Sequence, residues 1–343
     1  MFNKFSCFIF FVLSFLSFNL EAVDSKYEVI AVPFMEEIFG INEKGQIIGL
    51  NEEGTAVVIW DRNNGETFIT SPDDEKTCEF DVKGHNDLGQ IVGTVSVFNE
   101  PEEEYEDKAF IWDECNGFRY LPFSDVNGIN NKGQILGSRF NENFESDSVF
   151  ILHSDGFEQE IVIESENYIF PCAINDQEQV LFVELSLNFD RISPFIWKNG
   201  FVSEIPSEIM DLFPSAFNNK GEILGIVRFE KETFDDDIEE DAFLWKWSAE
   251  NTFAMTKIEE TIDDVEIYDM NDLGEAVGFF EEIYEEEKAC LWDKEGKLQD
   301  LNGLISQESG WELLRAMKIN NQGQIVGVGI KENQETVFLL NPL

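Results

Sequence analysis

The chain has 343 residues, with 70 aspartates and glutamates against 23 lysines and arginines and 2 histidines, a formal charge of −47. That balance argues against nucleic acid or an anionic membrane surface as partner, because both are held by clustered lysine and arginine. Two histidines leave little room for histidine-based catalysis or a histidine-rich metal centre, and a hydrophobic share of 43% is enough for a packed core.

Residues 1–22 read as an export signal. Lys4 supplies a short positive start, and Phe8-Ile9-Phe10-Phe11-Val12-Leu13 opens an apolar stretch that runs to Leu20. Ala22 suits the last position before cleavage, although Leu20 is larger than the small residue usual there. The alternative is an uncleaved N-terminal anchor, but the segment from Phe5 to Leu20 has only 16 residues and three serines, short for a spanning helix. Cys7 precedes the run from Phe8, which argues against a lipid-anchored mature terminus. The expectation is a secreted, periplasmic or cell-surface protein, soluble after cleavage near Ala22, whose residues 23–343 form a single domain.

A nine-residue phrase then recurs: apolar, Asn, two variable residues, Gly, Gln or Glu, two apolar residues, Gly. It begins at Ile41-Asn42, His85-Asn86, Ile129-Asn130, Phe217-Asn218, Met270-Asn271 and Ile319-Asn320, with a weaker copy at Ile174-Asn175. The seven asparagines are spaced 44, 44, 45, 43, 53 and 49 residues apart. Asn at the first turn position and Gly at the fourth fit a type I turn closed by a left-handed glycine, the three-residue hairpin. In the weak copy Glu178 holds the glycine position and Phe182 replaces the closing glycine, so that unit is expected to be irregular.

After each phrase comes an acidic variable stretch and a second apolar run. Examples are Val57-Val58-Ile59-Trp60, Ala109-Phe110-Ile111-Trp112 and Ala242-Phe243-Leu244-Trp245, which read as aromatic-rich strands. A turn follows, then a last strand such as Phe118-Arg119-Tyr120-Leu121 or Phe201-Val202-Ser203-Glu204-Ile205. Four short strands per unit is the plan of a propeller blade. The seventh unit ends at Leu343 without its fourth strand, while Tyr27 to Val32 is a strand without a unit. The predicted fold is an all-β, seven-bladed β-propeller of four-stranded blades, closed by the N-terminal strand completing the last blade; an open solenoid would have no need of this complementary deficit.

The phrase Ile-Asn-x-x-Gly-Gln-Ile-Val-Gly with the following Ala-Phe-Leu-Trp resembles the HAF-repeat family of probable extracellular proteins, over residues 27–343. The His of that family's name is replaced by Lys108, Asp241 and Lys288 before the alanine, and the Gly-rich ending of the next strand is missing. The resemblance implies an exported, repeat-built protein and brings no reaction and no catalytic residues. Trp60-Asp61, Trp112-Asp113 and Trp292-Asp293 resemble the dipeptide of WD repeats, but the companion Gly-His is absent, and no paired glycines of the kelch kind occur.

Four cysteines follow the signal: Cys172 and Cys290 fall at apolar repeat positions and read as buried thiols, whereas Cys78 and Cys115 fall in turn or loop contexts and could pair in an oxidising compartment. Neither histidine points to catalysis, since His85 takes the place of the usual Ile before a turn Asn and His153 falls in a turn after a second apolar run. No nucleophile elbow, phosphate loop, dinucleotide fingerprint or zinc signature is present.

The acidic stretches 102–107, 235–241 and 281–287 lie between second and third strands, on the same side of a meander as the inter-blade connections, so one rim of the disc is expected to be strongly negative. Three readings apply: solvated loops that keep a secreted protein soluble and monomeric, a Ca²⁺ site, or a docking surface for a cationic protein or peptide. The rim residues that would serve as metal ligands are Glu103, Glu104, Asp107, Asp236, Asp237, Glu285 and Glu286. The function expected is a binding or scaffolding module for a protein, peptide or glycan, with no cofactor unless Ca²⁺. The alternative is a glycosidase-like extracellular hydrolase with carboxylates in the central channel. Acids on the innermost strands would favour that alternative; acids confined to rim loops would not.

Overall fold

The computed structural model describes residues 25–33, 35–72, 77–99, 104–140, 146–188, 192–204, 214–232, 238–247, 254–257, 262–282 and 286–343. In every unit the asparagine turn closes a hairpin: the amide four positions into the phrase donates to the Asn carbonyl at 2.9–3.1 Å. Gly133 holds that position with φ +72°, and Glu178 is forced into the same left-handed region at φ 59°.

Seven four-stranded antiparallel sheets result. Blade 1 illustrates the order, Glu37–Ile41 innermost, then Ile47–Leu50, Val57–Asp61 and Gly65–Ile69. The inner strands of the other blades are Thr77–His85, Asp125–Ile129, Tyr168–Ile174, Ala216–Phe217, Ile262–Met270 and Trp311–Ile319. The inner strand of blade 7 packs against those of blades 6 and 1, which closes the ring around an axial channel. Closure of the last sheet is by Tyr27–Val32, paired antiparallel with Gln334–Pro342 from Tyr27 opposite Pro342 to Val32 opposite Val337.

A blade buries both faces, which explains why its strands read as continuous apolar runs and not as an alternation. Ile47 packs towards blade 7 while its neighbour Ile48 packs towards blade 2. Seven hydrophobic clusters fill the seven gaps between blades. In the weak unit, Phe182 fills the gap between blades 3 and 4 and stacks on Phe195 with ring centroids 5.3 Å apart.

The meander gives the disc two unlike faces. The asparagine turns and the turns between third and fourth strands lie on one, called here the turn face. The inter-blade connections and the links between second and third strands lie on the other, the loop face. Trp-Asp dipeptides fall on the turn face, where the Asp61 and Asp113 carboxylates accept from amides two and three residues on.

Two cysteine expectations are corrected. Cys172 is exposed, because the register shifts between Pro171 and Ala173 and makes it the extra residue of a bulge. Cys115 is an exposed free thiol in a turn-face loop, whereas Cys78 is the second residue of the inner strand Thr77–His85, which starts at the loop face, so the two lie at opposite ends of blade 2 and do not pair. Cys290 is buried as expected. Residues 1–22, read from the sequence as an export signal, lie outside the described residues, and no helix among the described residues is long and apolar enough to cross a membrane.

Candidate functional site at the axial channel

The turn-face mouth is built from the repeated asparagines. All seven are buried, with exposures of 3–5%. Each Oδ1 accepts from the amides two and four residues later at 3.0–3.1 Å. Each Nδ2 donates to the Gln or Glu side chain four residues on, at 2.7–2.9 Å. In six copies Nδ2 also donates to the backbone carbonyl of the next blade's asparagine, from Asn86 to Asn130 and onward to Asn320, which reaches Asn42. Such an amide has all its hydrogen-bonding capacity used, as a buried polar group requires.

A second belt runs alongside. The residue after each asparagine is Glu43, Asp87, Asn131, Asp176, Asn219, Asp272 or Asn321, and each backbone N–H donates to the side chain of its counterpart in the next blade. The seven bonds, 2.7–2.9 Å long, form a closed circle from Glu43 back to Glu43. Sequence reading treated this position as variable. The signal was there, because every copy carries a carbonyl or carboxylate oxygen on a short side chain.

Inside the belts is a cavity of about 240 Å³ lined by the turn asparagines other than Asn130, by residues of the second belt, and by Asp269 and His85. The His85 ring lies against Gly40 of blade 1, where a Cβ would come within 1.7 Å of Nε2. Its Nδ1 is buried without a partner, and burial first, then the Lys318 ammonium, depresses its pKa to about 4. His153 is structural: Nδ1 accepts from Gln134 at 3.0 Å, and Nε2 donates to Gln159 at 3.3 Å.

The loop-face end of the channel is different. The residue five before each turn asparagine is Glu37, Asp81, Asp125, Phe170, Glu266 and Arg315 in six of the blades, all in one register on the innermost strands. Glu37, Asp81 and Glu266 are exposed and Asp125 is half-buried, so four carboxylates ring this mouth. Lys83 pairs with Asp81 at 2.6 Å, and Arg315 is held by Glu287 at 2.5 Å. Burial, followed by repulsion from Asp81 and Glu79, raises the Glu37 carboxyl above its ordinary value. The Asp125 carboxyl is also raised, mainly by burial; the Val126 amide and Lys83 oppose the rise, and Asp81 and Asp107 add to it. These acids escaped sequence reading because they precede the repeated phrase, beyond the bulge that offsets each inner strand.

Of the rim residues expected to serve as metal ligands, Glu103, Asp236, Asp237 and Glu285 lie outside the described residues. Glu104 sits in the third strand of blade 2 opposite Asn99. Asp107 is exposed and accepts from the Ser96 hydroxyl, and Glu286 is exposed beside the gap between blades 6 and 7. Among the described residues no group of three or more His, Cys, Asp or Glu side chains is placed to hold a metal ion.

No family model matches the chain, and no curated protein matches it. Solved structures do. The β-propeller domain of the Trilobed protease from Pyrococcus furiosus, described as having an open velcro topology, is 13% identical over 91% of this chain and 94% of that one, with a TM-score of 0.55. Acylaminoacyl peptidase from Pyrococcus horikoshii is 12% identical over 90% of this chain and 52% of that one, with a TM-score of 0.54. A streptogramin B lyase structure is 15% identical over 92% of this chain and 98% of that one, at a TM-score of 0.49. At these identities the likeness is one of fold: the chain is a β-propeller.

Proposed function

We propose that this protein is an exported binding propeller whose loop-face mouth receives a cationic protein or peptide. The observation that carries the reading is the register of Glu37, Asp81, Asp125 and Glu266, which concentrates carboxylates at one end of the channel in a chain of formal charge −47. Low-dielectric walls focus such a field and steer cations towards it. Binding of a deca-lysine peptide tests it. The variant Glu37→Gln/Asp81→Asn/Asp125→Asn should weaken binding about tenfold, the effect of losing roughly 1.4 kcal/mol. Removing equal charge from the turn face with Glu114→Gln/Asp155→Asn/Glu295→Gln should change little. Equal losses in both variants would reduce the attraction to diffuse charge and refute a site.

A second reading, glycosidase-like hydrolysis in the channel, is favoured by the raised Glu37 carboxyl among Asp81 and Glu79. A carboxyl whose pKa is raised beside a second carboxylate is the kind of pairing that glycoside cleavage uses. Release of reducing sugar from a panel of polysaccharides, abolished in Glu37→Gln, would establish it. Ca²⁺ at the acidic rim stays a separate proposal, checked by melting residues 23–343 in EDTA and in millimolar Ca²⁺; a clear upward shift specific to Ca²⁺ supports it, and no shift removes it.

A further inference from the structure

The spacing of 49 residues between Asn271 and Asn320, against 43–45 in four of the other intervals, has a structural consequence. Part of the connection from blade 6 to blade 7 folds as two short 3₁₀ turns, Leu301–Leu304 and Gln307–Ser309, on the loop face. Leu301 and Ile305 anchor it in the core between the blades. Asn302 fastens it further, accepting from the Leu313 amide at 2.7 Å and donating to the Leu313 carbonyl at 2.9 Å. The anchored connection walls a cleft of about 490 Å³. Its shape is therefore set before any ligand arrives, which limits the ordering cost of binding.

The lining is chemically mixed. Trp311 and Ile305 supply apolar surface, and Glu286 and Glu312 bring exposed carboxylates from the two blades that bound the cleft. Two further lining charges are already matched: Glu287 with Arg315 at 2.5 Å and Lys288 with Glu282 at 3.0 Å. Asp300 accepts from the Asn302 amide at 2.8 Å. The Trp311 ring already has the Lys331 ammonium 5.7 Å from its centre, so cation–π contact is in use in this structure. An anion would meet Glu286, Asp300 and Glu312, against one lining ammonium, Lys288, that Glu282 already pairs. A flexible chain ending in a cation would lay its methylenes on the half-buried Trp311 and its charge between the carboxylates.

We propose that the cleft between blades 6 and 7 is a binding site for a basic side chain, lysine or arginine, presented by a partner. The site adjoins the channel mouth through the Glu287–Arg315 pair but uses none of the mouth carboxylates Glu37, Asp81, Asp125 and Glu266. Isothermal titration calorimetry of the full chain with N-acetyl-arginine methylamide, its lysine counterpart and the neutral citrulline counterpart tests it. The two cations should bind saturably and citrulline should not. The surface variant Glu286→Gln/Glu312→Gln should weaken the arginine probe about tenfold or more, as expected for charge-assisted contacts. Trp311→Phe, which keeps a ring in the core, should weaken it several-fold, since the smaller ring offers the ligand's methylenes less apolar surface. Absence of binding by the parent protein, equal binding of citrulline, or unchanged affinity in Glu286→Gln/Glu312→Gln would each overturn the assignment. Loss of affinity only in Glu37→Gln/Asp81→Asn/Asp125→Asn would place the cation in the channel and overturn it as well. Failure of deca-lysine to depend on the channel residues would count against the channel reading alone.

Discussion

Asn130 Nδ2 donates to the backbone carbonyl of Asn175, 3.0 Å away in the next blade. One residue type in a turn thus performs two tasks, shaping its own hairpin and fastening that hairpin to its neighbour. The same side chain accepts from Lys132 and Gln134 and donates to Gln134. Asn130→Ala should cost about 3 kcal/mol or more, because several buried groups lose partners together. Asn130→Asp keeps the accepting oxygen but turns the donor into a second acceptor facing the Asn175 carbonyl, so it should be at least as damaging. Urea denaturation of both variants decides this; a mild Asp variant would mean that the bond between blades contributes nothing.

Gly40 and His85 form a second pair, since a Cβ at Gly40 would overlap the imidazole. Gly40→Ala should destabilise by about 1–3 kcal/mol through overpacking, and His85→Ala in the same chain should recover most of that loss. Additive effects in this double-mutant cycle would refute the contact.

His85 also sets a pH dependence. Its folded pKa of about 4 lies below the ordinary 6.5, so below pH 6.5 the unfolded chain binds a proton that the folded chain refuses. Stability held above 6.5 is lost as pH falls towards 4, by roughly 3 kcal/mol in all. His85→Ile, which restores the residue of four other copies, should remove that loss. Glu37 and Asp125 have the opposite sign: raised carboxyls favour the folded state at low pH and lose that contribution as pH rises through their folded values. The measurement is therefore the difference between variant and parent stability at pH 7 and pH 4; parallel curves would show that His85 is not buried as a neutral ring.

Deleting residues 27–33 removes the fourth strand of blade 7 and uncovers the edge of Gln334–Pro342. The ring should open and the melting temperature fall sharply, since Val32 belongs to the core between blades 7 and 1. A melt like that of the parent would show that the other blades hold the ring without this strand.

Gly133 and Glu178 occupy equivalent turn positions with φ of +72° and +59°. Gly133→Val should cost several kcal/mol, because it forces a β-branched residue into the left-handed region and sets a Cβ 3.0 Å from Gln90 Oε1. Glu178→Gly should gain up to about 1 kcal/mol from relieved backbone strain. The exposed pair with Lys132 that it removes is worth little against that. Comparable losses in the two thermal melts would contradict the shared turn geometry.

Blade number, strand order, the hairpin at each asparagine and closure by Tyr27–Val32 were all legible in the sequence, because each depends on local pattern: an Asn-to-Gly spacing, apolar runs, and a strand missing at one end and spare at the other. The belts at the turn face were not legible. Their bonds link residues 43–53 positions apart, or 278 across the closure, and Asp, Asn and Glu look variable until a shared acceptor role is seen. Bulges decided what no periodicity could: they moved Cys172 out of the packed face and, with the ring, brought Glu37, Asp81, Asp125 and Glu266 to one mouth. Local chemistry is written along the chain, whereas a site built from one residue per blade exists only once the inner strands stand side by side around an axis.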